Sequence, residues 1–379
     1  MLYLDHAATT PVRREVLEAM WPYLTGEFGN PSSAHTVGER AASALADARA
    51  RSAAVLGVRA SDLVFTSGGT EADNLAVKGI ALGSRRGRHV VTAATEHEAV
   101  LESVDYLRRL HGFEVTYVEP ASDGIIDPVI LDAAVRADTA LVTLMYANNE
   151  IGTVQDLAAL GAVTSAHGIP FHTDAVQAAG WLDLRVQDVG VDALSIAGHK
   201  IGAPKGIGLA WIRGRLPVEP LVHGGGQERG RRSGTENVAF AVGLATALEH
   251  AEAERADAAT RVSALRDAFI ARVLREVPAS ILTGSPTSRL PNSASFCFPG
   301  TSGEAILLEL ERRGVVSSSG SACAAGSDEP SHVLTALGYP ADLARTAVRL
   351  TFAADLTSEQ ADAAATAVAA SVAAVSSVA

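Results

Sequence analysis

The chain has 379 residues, long enough for two sizeable hydrophobic cores, and its 47% hydrophobic and 20% charged residues are an ordinary globular balance. A formal net charge of −12 argues against non-specific binding to nucleic acid or to an anionic membrane. Two cysteines are too few for a disulfide framework, no leader-like start is seen, and no stretch is apolar enough to span a bilayer, so a cytoplasmic protein is expected.

Leu2 to Pro11 reads as an extended start closed by proline. Val12 to Leu24 is helical, with Val16, Leu17, Met20 and Trp21 on one face. A turn cluster, Gly29 to Ser33, precedes a second helix over Thr36 to Leu56. Strands and helices then alternate. Strands are expected at Leu63–Thr66, His89–Ala93, Val115–Val118, Ala140–Met145, Pro170–Thr173, Val191–Ile196 and Leu209–Ile212. Helices are expected at Glu71–Ala81, Glu98–Leu110 and Leu157–His167. That alternation implies an α/β fold, a mostly parallel sheet flanked by helices, with ligands at the strands' carboxyl ends. After Trp211 the pattern changes. An Arg- and Gly-rich loop leads into one long helix over Glu236 to Val277. The remainder reads as a smaller α+β C-terminal unit: strands at Asn292–Phe298 and Arg345–Phe352, helices over Gly303–Arg313 and from Thr357, and a small-residue loop over Ser317–Glu329.

Several polar residues fall at these strand ends. Lys200 sits in a Gly-His-Lys turn between two apolar strands, where an ammonium needs a partner or a covalent role. It is either a loop lysine or one that condenses with the aldehyde of pyridoxal phosphate. Ser67-Gly-Gly-Thr-Glu-Ala-Asp-Asn74 is either an anion site at a helix N-terminus or a plain turn capped by Thr70. His97 is either a cap or a group that stacks on a flat cofactor and moves protons. Asp174 caps a helix or holds a pyridine nitrogen, with Gln177 close enough to reach the ring's phenolic oxygen. Arg349 interrupts an apolar strand, as an edge residue paired with a nearby acid or as a clamp for a substrate carboxylate. Arg229, Arg231 and Arg232 read as a solvated loop or a dimer contact. Cys323 lies in an exposed small-residue loop, where a free thiol is a liability unless it reacts. Cys297 reads as an inert core cysteine.

Together these residues resemble the cysteine desulfurases, class V pyridoxal-phosphate enzymes with the aspartate-aminotransferase fold. The matching motifs run nearly end to end: Leu4-Asp-His-Ala-Ala-Thr-Thr-Pro11, Phe28-Gly-Asn-Pro-Ser-Ser33, Thr66-Ser-Gly-Gly-Thr-Glu-Ala-Asp-Asn74, Thr95-Glu-His97, Asn148-Asn-Glu-Ile-Gly152, His172-Thr-Asp-Ala-Val-Gln177, Gly198-His-Lys200, Arg232-Ser-Gly-Thr235 and Ser318-Ser-Gly-Ser-Ala-Cys323. The last is similar to the subgroup serving iron–sulfur cluster assembly or tRNA thiolation. The resemblance implies a large cofactor-binding domain over 15–255 and a small domain formed by 1–14 and 256–379. It implies that Lys200 bonds pyridoxal 5'-phosphate and later moves the Cα proton, and that His97 stacks on the ring. Asp174 would bind the pyridine nitrogen and Gln177 the phenolic oxygen. Gly69, Thr70 and His199 would hold the phosphate, joined by Thr235 of a partner subunit in a homodimer. Asn149 would position cofactor or substrate and Arg349 would grip the cysteine carboxylate. Cys323 would take the sulfur as a persulfide, leaving alanine, and pass it to an acceptor protein. No resident metal is implied, with Cys323 open to transient ligation of an iron–sulfur cluster. The alternatives are a selenocysteine lyase, a class V aminotransferase, or a non-catalytic assembly partner. One position departs from the family. A serine usually stands three residues before the lysine, and here it is Ala197.

Overall fold

The computed structural model describes residues 1–320 and 329–377. The chain opens with β1 (Leu2–Tyr3), α1 (Arg14–Thr25) and α2 (Thr36–Leu56). An alternating stretch follows: β2 (Leu63–Thr66), α3 (Gly69–Gly83), β3 (His89–Ala93), α4 (Glu98–His111), β4 (Glu114–Val118), α5 (Pro128–Ala134), β5 (Thr139–Thr143), α6 (Leu157–Ala166), β6 (Phe171–Asp174), α7 (Val186–Val189), β7 (Ala193–Ala197) and β8 (Gly208–Ile212). These strands form one seven-stranded sheet in the order β2-β8-β7-β6-β5-β3-β4. β8 runs antiparallel to both neighbours and every other pairing is parallel. The mostly parallel sheet expected from the alternation is therefore present.

Both faces of the sheet are covered, as a parallel sheet requires. One face presents Val64, Val90, Leu141 and Ala193 to α3 and α4. The other presents Leu63, Phe65, Val91 and Leu194 to α2, α6 and the start of α8 (Val238–Glu276). Alternation along β2 sends Leu63 and Phe65 one way and Val64 the other, the period-2 rule of an extended strand. α2 begins at His35, whose ring accepts the Gly38 N–H, and stops at Gly57, whose φ of 65° ends the helix without strain.

A second sheet, β12-β10-β9, is antiparallel and built from β9 (Ile281–Leu282), β10 (Ser293–Cys297) and β12 (Ala347–Thr351). α9 (Gly303–Arg312) and α12 (Ser358–Ser376) pack near it, around Phe269, Phe296, Phe298 and Phe352. α12 starts in a reciprocal cap in which Thr357 and Gln360 each take the other's backbone N–H. β11 (Val315–Val316) pairs with β1, so the N-terminus lies in this second assembly, with Leu4 in its core. Two short helices, α10 (His332–Ala336) and α11 (Ala341–Ala344), complete it. α8 spans 39 residues, about 58 Å at 1.5 Å per residue, and lends Leu244 to the first core and Val262 to the second. No helix among the described residues is long and apolar enough to cross a membrane.

The packing adds detail to two of the sequence readings. Val16 and Met20 of α1 are buried, but Leu17 and Trp21 are 53% and 66% exposed, so the apolar arc of this helix is only half covered. The arginines of the 229–232 loop are tied to the chain around them, although Arg229 stays exposed and Arg231 and Arg232 half-buried. Arg229 donates to the Leu63 carbonyl, Arg231 to the Ile212 carbonyl at 3.3 Å, and Arg232 pairs with Glu71 at 2.8 Å.

Candidate active site

Parallel strands deliver their carboxyl ends to one edge of the sheet, and the polar residues gather there. Lys200 follows β7 in a single 3-10 turn, Gly198–Lys200. Its Nζ donates to the Ala7 carbonyl and, at 2.8 Å, to the Ala8 carbonyl. Gln177 donates to the same Ala7 carbonyl at 3.0 Å. The N-terminal segment thus crosses the site as a strap. Thr10 Oγ1 donates to the His199 carbonyl at 2.8 Å and accepts the Gly202 N–H at 2.9 Å.

Asp174 ends β6, buried, with Oδ1 accepting the Val176 N–H at 2.8 Å. Burial pushes its carboxyl up, and His97, that N–H and Lys200 pull it back toward the charged form. His97 caps α4, its Nδ1 accepting the Ala99 N–H at 3.1 Å. That bond places the ring proton of the neutral form on Nε2. One ligand atom each from Asp73, His97 and Asp174 lies within 4.8 Å of the others. Two further acids lie behind Asp174 for which the motifs assign no role. Asp73 and Glu96 are both buried, and burial together with the Asp174 charge raises both well above the ordinary carboxylate range. Glu96 Oε1 accepts the Met145 N–H at 2.8 Å, while Oε2 has no hydrogen-bond partner among the described residues. His172 lies 2.8 Å from Thr143 Oγ1 and 3.0 Å from Ser195 Oγ, stitching β5, β6 and β7. Burial lowers it to about 3, so it is neutral and its approach to Asp73 is no ion pair. Of the three acids, Asp174 is the one that nearby cations pull back toward the charged form. Nothing in the sequence pattern distinguishes a buried acid from an exposed one, although Asp73 and Glu96 both stand inside recognised motifs.

At the start of α3 the cap is Gly68, not Thr70, which lies exposed in the first turn. A β-carbon on Gly69 would lie 2.8 Å from Val176 Cγ2 and 3.2 Å from Ala197 Cβ, so glycine keeps this helix N-terminus open. His199 Nδ1 is 3.1 Å from Thr9 Oγ1, and burial with the Lys200 and Lys205 charges lowers its ring to about 4. It stands there as a neutral hydrogen-bonding group. Thr235 is exposed, in a loop tied to the first turn of α3 by the Arg232–Glu71 pair.

Arg349, in β12, is buried and donates to the carbonyls of Asn149 at 2.8 Å and Gly320 at 3.3 Å, and to Asp5 Oδ1 at 2.6 Å. The paired acid and the edge-strand position are thus both present. The side chain of the neighbouring Asn148 is structural, accepting the Glu150 and Ile151 N–H groups. Cys323 lies outside the described residues. The chain on either side of its segment is anchored near Arg349: Gly320 by its carbonyl, and Ser331 through Oγ, which donates to Glu150 Oε2 at 2.5 Å. Cys297 is buried in β10, its thiol pushed up to about 11 by burial, as expected for an inert core cysteine.

The aminotransferase class-V family model matches residues 2–364. The cysteine desulfurase IscS of Dictyoglomus turgidum is 45% identical over 359 residues, 94% of this chain and 91% of that protein. A solved NifS-like protein superposes with a TM-score of 0.90 at 35% identity, covering 97% of this chain and 98% of its own. SspA, solved in complex with cysteine, superposes at 0.81 with 38% identity, covering 93% and 99%. The cofactor of these enzymes is pyridoxal 5'-phosphate. The residues here fit it on two observations: the β-carbon-free opening at Gly69 suits a phosphate, and the buried Asp174 anion suits a protonated ring nitrogen. The chain belongs to the class-V aminotransferase family, among its pyridoxal-phosphate-dependent cysteine desulfurases.

Proposed function

We propose that this desulfurase works through the residues gathered at the sheet edge and passes sulfur onward as a persulfide on Cys323. The observation that carries the proposal is Asp174, a buried carboxyl at the end of β6 that His97 and Lys200 draw toward its charged form. When bound, pyridoxal phosphate supplies an aldehyde carbon for amines and an electron-withdrawing ring that acidifies the substrate Cα–H. Asp174 would keep that ring protonated, Gln177 would meet its phenolic oxygen and His97 would stack on it. Gly69, Thr70 and His199 hold the phosphate. Lys200, held here by the Ala7 and Ala8 carbonyls, would hold the cofactor through its amine and would carry the Cα proton. Arg349 and Asn149 place the substrate carboxylate. The Cys323 thiolate attacks the substrate Sγ, the Cβ–Sγ bond breaks with its electron pair leaving on the carbon side, Cβ takes up a proton, and the enzyme keeps Cys–S–SH while alanine leaves. The anchoring of Gly320 on Arg349 supports a cysteine segment that starts beside the substrate arginine.

A homodimer is part of the proposal. Leu17, Trp21, Leu24 and Phe28 are spaced four, three and four apart and are all more than half exposed, an apolar stripe suited to a second copy. Thr235, exposed on its tethered loop, would reach the partner's phosphate site. The acceptor is an iron–sulfur scaffold or a tRNA-thiolation enzyme in the cytoplasm. The two cores support the domain division at 15–255 against 1–14 and 256–379. The test is release of alanine and sulfide from L-cysteine with a thiol reductant. Activity in the wild type and none in Cys323→Ala is expected. Full activity in Cys323→Ala would remove the persulfide step.

A further inference from the structure

We infer that Asp5 holds the place of the substrate carboxylate on Arg349 in the substrate-free enzyme and must give it up when L-cysteine binds. The inference rests on Arg349 being the carboxylate site. A buried guanidinium needs an anion, and Asp5 is its ion-pair partner among the described residues, Oδ1 lying 2.6 Å from Nη2. The remaining donors are unequal. Nη1 is committed to the Asn149 and Gly320 carbonyls. Nε is buried and has no hydrogen-bond partner among the described residues. An incoming carboxylate therefore finds one incomplete edge, Nε with Nη2, and Asp5 occupies its outer corner with a single bond.

Two features make Asp5 the group that yields. A substrate carboxylate on Nε and Nη2 makes two parallel bonds where Asp5 makes one, a stronger and more directional pairing. Two carboxylates on one guanidinium repel each other, and the Asp5 side chain is 16% exposed against 2% for Arg349, so Asp5 has a route to water. Without Asp5, a buried cation would stand unpaired in the empty enzyme. With it, each substrate molecule competes against an internal carboxylate.

The holoenzyme is titrated with L-alanine, which carries the carboxylate but no sulfur, and with cysteamine, which carries the amine and thiol but no carboxylate. Binding is followed by the cofactor's absorbance. Asp5→Asn is expected to bind L-alanine about tenfold more tightly, the size of a lost charged competitor, and cysteamine unchanged. Thermal unfolding gives a second readout: Asp5→Asn melts lower than wild type when empty and gains more from saturating L-alanine. Asp5→Ser should behave alike. Arg349→Gln is expected to weaken L-alanine and leave cysteamine alone. Wild-type affinity for L-alanine in Arg349→Gln would remove Arg349 as the carboxylate site and the inference with it. Weakened binding there, with unchanged or weaker L-alanine binding in Asp5→Asn, would overturn the inference alone and make Asp5 a group that orients Arg349.

Discussion

Replacing Ala197 with serine should tighten the hold on the cofactor's phosphate. Ala197 ends β7, paired with Gly208 in β8, and is 2% exposed. Its Cβ lies 3.2 Å from where a β-carbon on Gly69 would stand, so its methyl faces the first residue of α3. Serine adds one oxygen to a carbon already in place, beside a helix N-terminus suited to an anion. A hydrogen bond to a charged acceptor contributes roughly 1.5–3 kcal/mol, and a buried hydroxyl left without that acceptor costs part of the same amount. Both effects favour the loaded state. Taking the lower figure, the dissociation constant should fall about tenfold. The assay is titration of the apoenzyme with pyridoxal phosphate, followed by absorbance, with pyridoxal as control. The gain should be confined to the phosphorylated compound. An unchanged constant, or an equal gain for pyridoxal, would refute the placement of the phosphate beside Ala197.

Three further outcomes follow from the packing. Gly69→Ala places a methyl 2.8 Å from Val176 Cγ2 and should cost about 1–3 kcal/mol of stability together with cofactor retention; wild-type melting and loading would show that the cradle is looser than it looks. Arg49→Met strands Glu228, whose carboxylate Arg49 grips with two bonds at 2.7 and 2.8 Å, and should cost about 3–5 kcal/mol in denaturant unfolding, whereas Arg49→Met with Glu228→Gln should recover part of it. A double variant as unstable as the single would mean the loss is one of packing. Trp21→Glu, at a position 66% exposed, should leave the folded chain within about 0.5 kcal/mol yet yield monomers in sedimentation, and a dimer of normal affinity would clear the α1 stripe of any interface role.

The sequence disclosed the sheet because each buried strand is a short apolar run bounded by turn residues, and it disclosed the site because a parallel sheet brings its strand ends together. Short elements escaped: α5 and α7 have 7 and 4 residues, too few for a helical period to repeat. The coverage of α1's apolar face was invisible for a different reason. Val16 and Met20 meet α8, where a β-carbon on Gly243 would strike Met20, but Leu17 and Trp21 share the same apolar arc and lie outside the core formed by the described residues. Periodicity reports that an arc is apolar, not how many bodies cover it. The pairing of Asp5 with Arg349 joins residues 344 apart, and no local pattern could announce it.

Buried acids are the other silent class, and they carry a pH signature. Glu96 keeps its proton in the folded protein because burial, and then the neighbouring Asp174 charge, oppose ionisation. Unfolded, the same group ionises near its ordinary value of about 4.3. Between that pH and its raised native value the folded chain binds more protons than the unfolded one, so stability falls as pH rises through the window. Asp73, raised by burial and by Asp174, adds a decline of the same sign. Glu96→Gln imitates the protonated acid permanently and keeps the acceptor for the Met145 N–H. Its stability relative to wild type should therefore grow from pH 5 to pH 8 in denaturant unfolding, with the two curves converging toward the acid end. Parallel curves would mean that Glu96 ionises in the folded state and that Asp174 shares its pocket with a second charge. In that case the steadying of Asp174 by His97 and Lys200 would have to serve two anions. A single anion is what a protonated ring nitrogen needs as its partner, and the neutral acids behind Asp174 keep it single.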